Sequence, residues 1–130
     1  MSRLTRELEE VRRVRHKALC VGVGAYRSIR RLANPVRDAT SMNAALSGIG
    51  YASTSVFDCS LSELRAAAAA FVDTVNAGDM VVVFLAGHGS QSDSRNYFVT
   101  KEFPSGAKLN DTTAFQLQVR LLCRLTLGTF

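Results

Sequence analysis

Asp79–Ser90 reads DMVVVFLAGHGS. Met80 to Ala86 is an unbroken apolar run, rich in β-branched residues and only strand-length. With no polar residue alternating through it, such a run predicts a strand covered on both faces, as in the middle of a parallel sheet. Gly87 ends the run, and His88 follows at once between two glycines. In a parallel sheet, reactive groups gather beyond the carboxyl ends of the strands. The glycines let the backbone turn sharply and leave N–H groups near the imidazole. Those groups suit oxyanion stabilisation, with His88 as a base. On this pattern alone, a histidine that merely ends a strand and hydrogen-bonds a loop accounts for the sequence equally well.

Upstream, Ser60 and Glu63 form an S-x-x-E capping pattern ahead of a helix. That helix carries Leu61, Leu64, Ala68, Phe71, Val72 and Val75 on one face and stops near Gly78. Tyr51–Phe57 reads as a strand. Before it, Pro35 suits a first helical turn, and Val36, Ala39, Met42, Ala45 and Leu46 recur at helical spacing up to Gly48. Ala18–Val23 (ALCVGV) is another short buried strand. A basic loop follows it through Arg31. Downstream of the histidine, a Gly/Ser/Asp loop leads to a fourth strand, Asn96–Thr100 (NYFVT). Phe103–Asp111 reads as a loop. Thr112–Leu127 gives a helical pattern through Leu117, Leu121 and Leu125, with no fifth strand after it. Strands alternating with helices predict a mainly parallel sheet with helices on both faces, an α/β three-layer sandwich incomplete at its C-terminal side.

Residues 3–16 predict an exposed helix with a thin stripe of Leu4, Leu8, Val11 and Val14. The charge excess sits at this end. Residues 1–31 hold nine Lys/Arg against three acids, and the remainder seven against eight. A basic lead-in without aromatic interleaving or a recognisable motif excludes nucleic acid as the expected partner. No apolar stretch approaches the roughly 20 residues of a membrane helix, so no membrane span is expected. Cys20, Cys59 and Cys123 have no metal-like spacing, and each reads as a small buried hydrophobe. Neither a metal nor a cofactor is expected, and the cytoplasm is the expected location. Gly22-Val23-Gly24-Ala25-Tyr26 lacks the third glycine and the following helix of a dinucleotide fingerprint and reads as strand-to-loop punctuation. His16 reads as a solvated side chain of the lead-in.

Residues 17–99 resemble the large-subunit half of the caspase-like peptidases, the group of caspases, metacaspases and bacterial relatives. KALCVGVGAYRSIRRL resembles that family's opening strand and loop. ANPVRDATSMNAALSGIGY resembles its first helix and exit. VFDCSLSELRAAAAAFVDTVNAGDMVVVFLAGHGSQ resembles its second helix and histidine strand, and NYFV the strand after it. The resemblance implies a lead-in helix over 1–16, a partial peptidase domain over 17–130, and peptide-bond hydrolysis by a Cys-His dyad. It makes His88 the catalytic histidine and Gly89 a backbone donor to the oxyanion. It also makes Asp38 a carboxylate of the first specificity pocket that favours Arg or Lys before the scissile bond. From the residues alone, an acid stabilised by a helix N-terminus is the favoured account of Asp38. The implied partner is a protein or peptide substrate, with another caspase-like chain as a second candidate.

One departure is serious. The family's nucleophile lies after a further strand in a pattern like D-x-C-x-S-G. Cys123 sits in Leu-Leu-Cys-Arg-Leu, without the preceding acid or the following Ser-Gly. The chain as given is therefore expected to be a fragment or truncated product without its nucleophile, and inactive alone. The alternative is an inactive caspase-like module that binds other proteins.

Overall fold

The computed structural model describes residues 2–12 and 14–117. The chain opens with α1 (Arg3–Arg12), on which Leu4 and Leu8 are exposed. It then runs through β1 (His16–Gly22), α2 (Pro35–Gly48), β2 (Ala52–Phe57), α3 (Leu61–Thr74) and β3 (Met80–Ala86). β1 lies between β2 and β3 and is parallel to both. Leu19 is level with Thr54 on one side and Val83 on the other.

This order explains the layers. The crossover through α2 moves the chain to one side of β1, and the crossover through α3 carries it back past β1 to the other. Connections of this kind are right-handed almost without exception, which places the two helices on opposite faces. The alternation of β1 fits this. Ala18 and Cys20 pack with Ala39, Met42 and Leu46 of α2. Leu19 and Val21 point the other way and pack with Leu64 and Phe71 of α3. Small residues face α2, and the large aliphatic ones face the larger α3-side core. The predicted α/β sandwich around a parallel sheet is the architecture found.

Local signals behave as their chemistry requires. Pro35 opens α2. Ser60 caps α3, its hydroxyl accepting the Glu63 N–H at 3.2 Å. Its Oγ also lies 3.0 Å from Glu63 Oε1. Lys17, at the start of β1, pairs with Asp79 at 3.0 Å in a site almost closed to solvent. It also donates to the Thr74 carbonyl at the end of α3.

Four expectations are corrected. The lead-in helix ends at Arg12, and His16 belongs to β1, where its ring meets Tyr51 edge-on at 5.1 Å. It is a half-buried strand residue, because the sheet begins two residues before the apolar run does. The loop after His88 is instead β4 (Gly89–Ser92), paired antiparallel with β5 (Arg95–Phe98) through Asp93 and Ser94. Both turn residues have positive φ, the signature of a two-residue hairpin of the primed type. NYFVT is therefore not a fourth strand of the parallel sheet, and its strand stops at Phe98. The helix predicted over 112–127 is also not formed at its start. Residues 112–114 turn, and β6 (Phe115–Gln116) pairs antiparallel with β5. The rest of that predicted helix lies outside the described residues.

Candidate active site

The three parallel strands all end at one edge, and the sequence places a distinct group after each. Beyond β1 come Gly24, Ala25 and Tyr26, beyond β2 Asp58, and beyond β3 His88. The strand order brings Tyr26 and His88 together. Their rings are 4.7 Å apart, tilted by 50°. With strands spaced about 4.8 Å, the carboxyl ends of β2 and β3 lie roughly 10 Å apart.

His88 is half-buried, and its polar atoms are nearly all engaged. Its backbone N–H donates to the Tyr26 hydroxyl at 2.8 Å. Its carbonyl accepts the Val99 N–H at 2.9 Å. Its Nε2 lies 2.8 Å from the Arg30 carbonyl oxygen. A carbonyl can only accept, so Nε2 must carry the proton. The neutral imidazole then holds its lone pair on Nδ1, the base nitrogen of this tautomer. The loop supplying Arg30 is fixed at both ends. Leu32 N–H donates to Gly24 O at 3.0 Å, and Arg27 N–H to Lys101 O at 3.0 Å.

Gly87, next to the histidine, has no room for a side chain. It has a φ of +156°, and a Cβ on it would lie 2.7 Å from the Tyr26 hydroxyl and 3.0 Å from the Phe98 ring. Gly89, on the far side of the histidine, is exposed and opposite Phe98 in the hairpin. The Val99-to-His88 bond brackets that pair, which makes it a non-hydrogen-bonded one. The Gly89 N–H is therefore left out of the ladder, beside the imidazole.

A cavity of about 480 Å³ adjoins this loop, lined by Gly24, Ala25, Arg31, Leu32, Ala33, Val36 and Asp58. Asp58 holds a φ of +45°, a conformation that Asp tolerates better than most residues. Its Oδ1 accepts the N–H groups of Gly24 and Ala25 at 2.9 and 3.0 Å. Asp38, the carboxylate expected in a specificity pocket, sits exposed in the first turn of α2 and is not part of this lining. The parallel topology brings that turn to the same edge of the sheet as His88.

Sequence reasoning missed Tyr26 and Asp58. An acid directly after a predicted strand was a readable signal for Asp58. For Tyr26 there was none, because only the fold brings it to His88.

The cysteines contrast with the histidine. Cys20 and Cys59 are both fully buried. Burial pushes the Cys59 thiol up to about 11, away from a reactive thiolate. Cys123 lies outside the described residues. Among those residues, no group of three or more His, Cys, Asp or Glu is placed to hold a metal ion. No described helix is long and apolar enough to cross a membrane.

No curated protein matches the chain. A family model described as the Caspase domain matches residues 15–119. That match spans the parallel sheet, the histidine edge and the hairpin, and the chain belongs to the caspase domain family.

Proposed function

We propose that the chain carries the histidine side of a cysteine endopeptidase centre. The observation that supports this most is His88 itself. It stands at the carboxyl end of β3 with Nε2 committed to the Arg30 carbonyl and Nδ1 left as the base. In the proposed reaction, Nδ1 takes the proton of a cysteine thiol, and the thiolate sulfur bonds to the scissile carbonyl carbon. The carbonyl electron pair moves onto oxygen, where the free Gly89 N–H donates to it. His88 then returns the proton to the leaving amine, and water hydrolyses the acyl-enzyme.

The specificity reading is a basic side chain before the scissile bond, favoured by Asp38. The neighbouring cavity supports the same preference. Leu32, Ala33 and Val36 offer apolar walls to an aliphatic stem, and Asp58 offers a fixed carboxylate to its cationic head. Arg31, also in the lining, adds a positive charge that such a ligand has to avoid.

The thiolate is the missing part. Neither Cys20 nor Cys59 reaches solvent, and Cys123 lacks the family's surrounding pattern. The nucleophile then comes from further sequence or from another caspase-like chain. The thiols of Cys20 and Cys59 are free, in keeping with a reducing, cytoplasmic setting. The same burial favours a second reading, an inactive caspase-like module that engages other proteins.

Fluorogenic peptides with Arg or Lys before the scissile bond provide the test. The chain alone is expected to turn over no faster than its His88→Ala variant. It is also expected to bind an uncleaved Arg peptide, and Asp38→Asn to weaken that binding. Robust cleavage abolished by Cys123→Ala would overturn the nucleophile assignment. No peptide binding at all, with a protein retained in pull-down, would favour the inactive module.

A further inference from the structure

We propose that Tyr26 is a positioning residue for His88, fixing both the place and the tautomer of its imidazole. Its hydroxyl has a single proton, and that proton goes to the Val99 carbonyl at 2.8 Å. The remaining lone pairs accept the His88 N–H at 2.8 Å. The resulting chain, His88 N–H to Tyr26 O–H to Val99 C=O, satisfies three otherwise stranded polar groups and polarises along its length. It ties the end of β3 to the end of β5 through a ring only 1% exposed. Burial also pushes the phenol up to about 12, so the donor keeps its proton across the working range of pH.

The same residue governs the other side of the imidazole. Tyr26 is the buried anchor of the loop that returns Arg30 to Nε2, and its ring lies against the imidazole. The missing side chain at Gly87 preserves this arrangement, since a Cβ there would displace the hydroxyl. Backbone position and ring tautomer thus depend on one phenol. The inference rests on His88 acting as the base, but its test requires no turnover.

The test is 15N NMR of the imidazole nitrogens in the full chain, above the pH at which the ring is neutral. The only other histidine is His16, and His16→Gln assigns the signals. Wild type is expected to show His88 as one tautomer, protonated on Nε2. Tyr26→Phe keeps the ring and removes the hydroxyl. It is expected to give a tautomer mixture and to speed exchange of the Nε2 proton roughly two- to tenfold, the range set by one net hydrogen bond. Should that variant fail to fold, Gly87→Ala displaces the same hydroxyl and should give the same mixture. A wild-type mixture, or an unchanged His88 pattern in a folded variant, overturns the proposal. Either result leaves the peptidase reading to be decided by the peptide assays.

Discussion

Gly22→Ala is expected to be the most damaging single-methyl addition in the sheet. Gly22 is the last residue of β1, level with Phe57 and Ala86, directly beneath the first turn of α2. A Cβ there would lie 2.4 Å from the Pro35 carbonyl oxygen, 2.8 Å from its carbon and 2.9 Å from the Ala39 Cβ. Carbon-to-oxygen contacts settle at about 3.3 Å or more, so α2 must lift by close to ~1 Å. The obstructing atoms are backbone and a methyl, so no flexible side chain can swing aside. Overpacking of this kind costs about 3 kcal/mol, a large part of the roughly 5–15 kcal/mol available to a domain. The far end of the same helix gives the control. A Cβ on Gly48 meets nothing within 4 Å, so Gly48→Ala should be neutral or stabilising by up to ~1 kcal/mol. Urea denaturation followed by far-UV circular dichroism reads both. The midpoint should fall for Gly22→Ala and hold or rise for Gly48→Ala, with the slope unchanged. A Gly22→Ala protein within ~0.5 kcal/mol of wild type would refute the close-packed reading of this edge, and with it the placement of α2 against the site.

Two further variants probe the same edge and the opposite end of the sheet. Asp58→Asn keeps an oxygen for the Gly24 and Ala25 N–H groups and tolerates positive φ, so it should leave stability almost unchanged. Asp58→Ala strands both donors and should cost about 1–3 kcal/mol in urea denaturation. Equal stability of the two variants would show that Asp58 does not organise the loop. For Asp79, desolvation acts upward, but the Asn76 N–H and Lys17 outweigh it and hold the carboxyl below its ordinary range. A depressed folded pKa means stability that is present above the unfolded value near 3.9 and lost as pH falls through the folded one. The stability gap between wild type and Asp79→Asn should therefore be constant from about pH 7 to 5 and shrink below about pH 4. A gap independent of pH down to the acid transition would sink this assignment.

What could be read in the sequence depended on how locally each feature was encoded. The buried strands announce themselves by unbroken apolar runs, and α2 and α3 by Pro35, the Ser60 cap and a 3.6-residue period. A single chain segment carries each of those signals. The hairpin after His88 is different. GSQS has no β-branched residue, and Asp93-Ser94 is not one of the glycine-containing pairs that mark a primed turn, so the strand exists through its pairing with β5. The predicted helix at Thr112 fails for a related reason. Its leucine period competes with an edge of β5 still open to pairing, and Phe115–Gln116 takes that edge.

The site divides along the same line. His88 was legible because glycines flank it at the end of an apolar run. Its setting, on which the proposed role as a base depends, rests on three contacts with residues far away in sequence: the Tyr26 hydroxyl, the Val99 N–H and the Arg30 carbonyl. No motif encodes those contacts, since two of the three are made by backbone atoms whose side chains are free to vary. A sequence can therefore keep Gly-His-Gly and lose the base, or change much of the loop and retain it. Under the proposed function the decisive quantity is the geometry around Nδ1, and a thiolate completing such a centre would have to approach from that nitrogen's side of the ring.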